Sequence, residues 1–445
     1  MRAVTSSDAL REVGAFVADL AWADVPAEVR DRTRLVLTDV LGVTVAGART
    51  PELQALTEAW DPPHGPCRLL GTDRGSGPDD AAWLNGTAMC ALELDEGHKQ
   101  AQGHPAAHVV PAVLAAVQAS RHPVLGVEVL AAVLAGYEVA ARFGRATRLR
   151  ADLHTHGHWG AAGAGAAVAR LRGLPPEGIA AAVDASTGLV HVTPWKVVLA
   201  GSFVRNLWAA GANVAGLIGA RLAAGQLAGV EGTVDHTLGV LGSLEVSELT
   251  SGLGRRWDVT GGYFKRHASC SYTHPAADAV LDLMAGSVRP EDVARVVVDT
   301  HRLAAPLAAV DVRTRVAAMF SLPYVVAVAA VRGRVAPDAF SPEARRDQRL
   351  LDLALRVEVR HDPALDARLP AERANRVTLL LADGRSLVAE VPNPVGDADH
   401  RPMGPADVRG KLAALVGERA TQTVTEVVAE LAGAADARVV LARLP

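Results

Sequence analysis

A change of hydrophobic period along the chain restricts its fold more than any other feature. Up to about residue 260 apolar residues recur at helical spacings, after about residue 290 they alternate, and beyond Pro392-Asn393-Pro394 the helical spacing returns. A period near 3.6 buries one stripe of a helix, whereas a period of 2 buries one face of a strand. The order helix, mixed, helix therefore predicts a mainly α protein with an α+β insert. Its large helical domain is built from both chain ends, residues 1–262 and 398–445, and it carries a smaller α/β lid over 263–397.

Individual elements follow from the same reading. Asp24-Val25-Pro26 opens a helix in which Val29, Thr33, Val36 and Val40 recur, closing near Gly47. Another long helical run follows Pro123, through Val129, Ala132, Val133 and Tyr137. Ala/Gly-dense stretches at 157–172 and 206–224 read as helices packed at short distance, because small side chains let backbones approach. Val293–Thr300, Leu355–Arg360, Arg376–Leu381 and Arg385–Val391 read as strands, the last two joined by a turn at Ala382-Asp383-Gly384. A helical pattern occupies about 312–332, and helices return at Ala406–Leu415 and Thr423–Leu431. No internal repeat is visible.

Composition narrows the function classes. The chain has 445 residues, long enough to bury a core without disulfide or metal staples, and its three cysteines lie far apart. A formal net charge of -4 with no basic run argues against a nucleic acid or an anionic membrane as partner. Gln100–Ser120 is uncharged, but Gln100, Gln102, His104, His108 and two prolines exclude a membrane span. Asp8 and Glu12 in the first helical segment are foreign to a targeting signal. A soluble, cytoplasmic protein is expected. Only four lysines, Lys99, Lys196, Lys265 and Lys411, stand against forty-one arginines. A lysine kept in that background points to a place where a guanidinium cannot stand in for a compact ammonium.

Six of the fifteen histidines fall in two short segments. In the first, Glu93 to His108, Pro105 suits the first position of a helix and puts His104 at its N-cap. Unpaired N–H groups and the positive end of the helix dipole face that position, which suits an anion and favours a neutral imidazole. Capping by His104 and packing by His108 would give the same pattern. The second, His154-Thr155-His156-Gly157-His158-Trp159-Gly160, reads as a loop feeding a helix; a metal shared by His154, His156 and His158 is the alternative. Val204-Arg205-Asn206-Leu207-Trp208, Tyr263-Phe264-Lys265-Arg266-His267 through Tyr272-Thr273-His274, and Phe320-Ser321-Leu322-Pro323-Tyr324 add cations, hydroxyls and aromatics in apolar context. Together these segments describe a pocket for a small, multiply charged anion.

In order and spacing the segments resemble the MmgE/PrpD family, which includes 2-methylcitrate dehydratase, cis-aconitate decarboxylase and iminodisuccinate epimerase. The resemblance rests on Leu84-Asn85-Gly86-Thr87-Ala88, Leu92-Glu93-Leu94-Asp95-Glu96-Gly97-His98 with His104-Pro105, and His154-x-x-Gly157-x-Trp159-Gly160. It continues through Val204–Trp208, Lys265…Cys270-x-x-x-His274-x-x-x-Asp278, and Phe320-Ser321-x-Pro323-Tyr324, nearly the whole chain. It implies a helical domain with an α/β lid, a homodimer, and action on small di- or tricarboxylates without metal or organic cofactor. Carried over by position, the catalytic set is His104, His154, Lys265 and Tyr324, and the substrate-binding set is Glu93, His98, Arg205, Arg266 and His274. Departures are Arg205 where many members have Lys, Glu93 and Gly97-His98 where some have Asp and Thr, and His156 and His158 in place of smaller or hydroxylated residues.

These residue types suit the class. Removing a proton beside a carboxylate, or losing CO₂, builds enolate-like charge that cations and donors must stabilise. A lyase of the 2-methylcitrate dehydratase kind is expected, with Tyr324 donating to a leaving hydroxyl or orienting a carboxylate. A decarboxylase or epimerase would use the same constellation; a metal-dependent hydrolase or a non-catalytic carboxylate binder are the readings from other classes.

Overall fold

The computed structural model describes residues 4–286 and 288–445. Helices dominate its first 260 residues, as the period predicts. The longest are Ala27–Ala48, Gly126–Ala146 and Arg205–Ala224. Gly160–Leu171 lies between the last two and also packs on Pro105–Gln118. The small residues do what the sequence suggested: a Cβ at Gly216 would stand 2.3 Å from that of Ala164, so these helices meet backbone to backbone within one chain. Arg205–Ala224 is long and apolar enough to cross a membrane, with mean hydropathy 1.3, yet 61% of that window is buried inside the helical bundle.

The lid carries a four-stranded sheet in the order Ser386–Val391, Asn375–Leu381, Val293–Thr300, Val357–His361. Neighbours are antiparallel except the last pair, which is parallel. That parallel pair needs a crossover, and Arg315–Met319, Leu322–Arg332 and Gln348–Ala354 supply it. The helical pattern expected over 312–332 is thus two helices. Ser321 caps the second, its hydroxyl accepting from the Tyr324 N–H at 3.1 Å, and Pro323 occupies the first turn, where a missing N–H costs nothing. Along Asn375–Leu381 the odd residues are buried, and the His274–Leu283 helix packs on this strand and on Ser386–Val391.

Past the sheet, Pro405–Val416 and Glu418–Leu431 return to pack on Ala27–Ala48, so both ends of the chain build the helical layer. A short ladder joins that layer to the start of the lid: Gly97 pairs with Tyr263 and His98 with Gly262. It sets the Glu93–His104 segment against the 263–273 segment.

Candidate active site

Pro105 begins its helix and His104 is the N-cap residue. The imidazole does not cap; the Glu96 carboxylate does, accepting from the Ala106 N–H at 3.1 Å and from the Tyr137 hydroxyl at 2.7 Å. Burial pushes the Glu96 carboxyl up to about 8. His104 is left to turn its Nδ1–H to the Glu96 carbonyl at 2.6 Å, with Asp95 Oδ2 at 3.2 Å from the same nitrogen. A carbonyl only accepts, so in the neutral ring Nε2 carries the lone pair.

His154 is held in the opposite tautomer. Its Nδ1 accepts the His156 backbone N–H at 3.2 Å, which leaves the proton of the neutral ring on Nε2. Gly157 makes this turn possible: at φ +92 it adopts a backbone that other residues resist, and its N–H donates to His108 Nε2 at 3.2 Å. His108 Nδ1 donates in turn to the His104 carbonyl at 2.8 Å, and His158 Nε2 donates to the His154 carbonyl at 2.7 Å. His108 and His158 therefore fix the two segments to each other. His156 packs edge-on against the rings of His104, His108 and His154, and neither of its ring nitrogens has a partner among the described residues.

Burial holds the His104 and His154 imidazoles well below their ordinary range, helped by Lys265 near the first and Arg205 near the second. Both are neutral at physiological pH. One offers a base and the other a donor, as coupled proton chemistry requires.

These two histidines line a small, tight cavity of about 20 Å³ between the helical layer and the lid. Glu93, Arg205, Gln102 and Thr155 face it from the helical side, and Tyr263, Cys270, Ser271, Tyr272, Phe320 and Arg373 from the lid side, with Trp195 stacked edge-on over His154. Burial pushes the Cys270 thiol up to about 11, so it is no ready nucleophile. Glu93 and Gln102 have φ of 51 and 53, left-handed conformations that cost a non-glycine residue about 1–2 kcal/mol and persist where the surroundings enforce them. At Glu93 the enforcement is electrostatic. Arg205 lies 2.5 Å from one carboxylate oxygen, and Lys265 lies 3.1 Å from the other and 3.2 Å from Asp95 Oδ1.

Five of the residues expected at the site do not line this cavity. Lys265 is fully buried one layer behind the cavity wall, bonded to Glu93 and Asp95 rather than lining the cavity. Tyr324 is fully buried in the lid core, its hydroxyl donating to the Ala339 carbonyl at 2.9 Å. His98 accepts the Ala101 N–H on Nδ1, with Asp258 3.8 Å from Nε2. His274 turns Nε2 to the Ser269 carbonyl at 3.0 Å and packs on His267. Arg266, half exposed, lies 3.5 Å from Asp278 on a separate, wider groove lined also by Arg334, Met403 and Lys411, which contains no histidine. Asp95, which touches both His104 and Lys265, was passed over for Glu93 two residues earlier. Arg373 and Trp195 had no local signal.

His154, His156 and His158 do not converge, since His158 is turned to the loop backbone. Among the described residues, the group with ligand atoms close enough to share an ion is Asp95, His104 and His156, all within 4.8 Å of one another. Lys265 already neutralises Asp95 in that group, and His104 Nδ1 is committed to the Glu96 carbonyl.

Comparison with known proteins meets this geometry along both parts of the chain. Residues 11–247 match the model of the MmgE/PrpD N-terminal domain and residues 267–436 that of the MmgE/PrpD C-terminal domain. The chain is 30% identical over 294 residues to a cis-aconitate decarboxylase-like protein, oryM, of Aspergillus oryzae, an alignment covering 60% of each chain. It is 27% identical over 429 residues to a cis-aconitate decarboxylase of Aspergillus terreus, covering 88% of this chain and 86% of the relative. A further cis-aconitate decarboxylase of Aspergillus terreus is 29% identical over 298 residues, with 61% of this chain and 59% of the relative covered. The two models match in order along the chain, and the protein belongs to the MmgE/PrpD family.

Proposed function

We propose that the protein is a decarboxylating lyase for a small unsaturated tricarboxylate of the cis-aconitate class, working without a metal or organic cofactor. The observation that carries this reading is the pair of neutral histidines in opposite tautomers, set beside buried cations where the helical layer meets the lid. The names of the aligned relatives favour decarboxylation over the dehydration expected from the sequence, and Tyr324, the donor assigned to a leaving hydroxyl, is bonded to Ala339 instead.

The chemistry follows from the charges. In a β,γ-unsaturated acid, breaking the C–CO₂ bond releases CO₂ and passes its electron pair into an allylic anion, delocalised onto a neighbouring carboxylate. His154 Nε2–H donates to the oxygen where that charge collects, beside the ion cluster of Arg205, Lys265, Glu93 and Asp95. A proton must then form the new C–H bond. His104 Nε2 takes it up as the polyanion binds, supported by Asp95 across the ring, delivers it to carbon, and is recharged from solvent. One proton is consumed for each CO₂ released.

The test is proton NMR of the purified protein in D₂O with cis-aconitate and, separately, 2-methylcitrate. The expected outcome is CO₂ loss from the first with one deuterium gained at carbon. Water loss from 2-methylcitrate with cis-aconitate untouched would replace this reading by the dehydratase.

A further inference from the structure

The cations around the cavity are not equivalent. Arg205 and Lys265 are matched by Glu93 and Asp95, two positive charges against two negative, all buried. Arg373 has no such match. It is 6% exposed, it lines the same cavity from the lid, and among the described residues no carboxylate lies within 4.0 Å of it. Its Nη1 donates to the Tyr263 hydroxyl and to Ser271 Oγ, each at 3.2 Å, and the guanidinium lies over the rings of Tyr263 and Tyr272, at 5.1 and 5.4 Å. Asp397 attracts it from further away, but Lys99 already holds that carboxylate at 3.0 Å.

Two hydroxyls and two aromatic faces orient a guanidinium without neutralising it. A buried charge left in that state is costly, and a protein keeps one where a partner arrives from outside. The backbone beneath it is fixed: the Arg373 N–H meets the Pro392 carbonyl at 3.0 Å and Asn393 Oδ1 at 3.1 Å. The planar fork is therefore presented rigidly, in the form that suits two parallel bonds to a carboxylate.

The structure assigns Arg373, with Ser271 and Tyr263 as its holders, as the clamp for one substrate carboxylate remote from the reacting carbon. This rests on the polycarboxylate reading above and deepens it: the lid would distinguish three carboxylates from two. Because Arg373 and Ser271 belong to the lid and His104 to the helical layer, a ligand held at both ends also draws the two together.

The experiment is calorimetric binding of three unreactive acids. Tricarballylate has all three carboxylates; glutarate lacks the middle one and 2-methylsuccinate lacks a terminal one. Arg373→Gln is expected to weaken tricarballylate roughly 10- to 100-fold, the range for a charged hydrogen-bonded pair. For one of the two dicarboxylates, the one lacking the clamped group, the change should stay within about threefold of wild type. Arg373→Lys, which keeps the charge but not the fork, should fall between the two and decides the question alone if the glutamine variant does not fold. Equal losses for all three acids, or tricarballylate binding within threefold of wild type, would overturn the clamp. A wild-type protein that binds none of the three would instead overturn the polycarboxylate reading itself.

Discussion

Replacing Lys265 tests the electrostatic core of the site most directly. The ammonium is fully buried, 3.1 Å from Glu93 Oε2 and 3.2 Å from Asp95 Oδ1. Arg205 still neutralises Glu93 when Lys265 is gone, so Lys265→Met leaves one buried carboxylate, Asp95, without a cation. Removing one partner of a buried pair costs about 3–5 kcal/mol. With an unfolding entropy of about 2.1 cal/mol/K per residue, roughly 0.9 kcal/mol/K for this chain, the melting temperature should fall by about 3–5 °C. Lys265→Arg keeps the charge but forces a longer, planar group into a site with no free surface, an overpacking of about 1–3 kcal/mol. The segment is therefore no tolerant loop, and both variants should lose stability. The chemical effect is separate. Lys265 helps hold His104 below its ordinary range, second only to burial. In Lys265→Met that influence is gone, so His104 should protonate at higher pH and the pH profile of kcat/KM should shift upward. For Lys265→Arg, loss of the placed ammonium behind Asp95 should lower kcat on the order of 10²–10³-fold. The assays are thermal unfolding followed by circular dichroism and kcat/KM between pH 5 and 9. A Lys265→Arg protein melting within 1 °C of wild type and keeping more than about a third of its kcat would refute the reasoning, because it would make the ion cluster dispensable.

Tyr324→Phe removes a hydroxyl whose hydrogen bond goes to the Ala339 carbonyl; it should cost about 1 kcal/mol of stability and leave kcat within about twofold, and a hundredfold loss would return Tyr324 to the substrate. Nine histidines are held below their ordinary value by burial, among them His98 and His108 at about 4 and His158 at about 3. From about pH 6.5 down to 4 the unfolded chain binds protons that the native chain refuses, so stability should fall with pH through that window. Glu96 and Glu138, raised to about 8, oppose this but are outnumbered; a melting temperature unchanged or higher at pH 5 than at pH 7 would contradict it. Activity should survive prolonged EDTA treatment, and loss on chelation with recovery on one added divalent ion would point to Asp95, His104 and His156 as its ligands. Light scattering should give a homodimer, about twice the 46.3 kDa chain mass, at micromolar concentration.

What the sequence revealed was local, and what it concealed was long-range. Each sheet strand lies within two residues of its expected ends because alternation is a property of neighbouring side chains; Val293–Thr300 matches outright. His104 and His154 were legible because proline and glycine punctuate their segments. The position of Lys265 relative to the cavity was not, nor was the outward turn of Arg266, since adjacent residues on an extended segment point to opposite sides. The burial of Tyr324 was not legible either, because a helix start fixes where a residue sits along the axis, not which face is buried. Arg373 enters the site through Tyr263 and Ser271, more than a hundred positions away, and no spacing rule reaches that far.

The scarcity of lysine takes on meaning once its partners are known. Lys196 is exposed. The other three all fasten the strip from Glu93 to Lys99: Lys265 through Glu93 and Asp95, Lys411 through the Leu94 carbonyl at 2.8 Å while it pairs with Asp39 at 2.7 Å, and Lys99 from within the strip to Asp397, Asp399 and the Ala371 carbonyl. Each ammonium serves two or three acceptors, and a planar fork reaches such a set less readily than a compact group with three rotatable donors. The partners come from the start of the lid, the end of the lid and a C-terminal helix. The strained backbone at Glu93 is thus gripped by every layer of the molecule, and the tautomer of His104 hangs on the Glu96 carbonyl in that strip. A shift of the lid against the helical layer would move these grips and, through Glu96, His104 itself. In this chain the geometry of the candidate site and the docking of the two layers rest on the same few ion pairs.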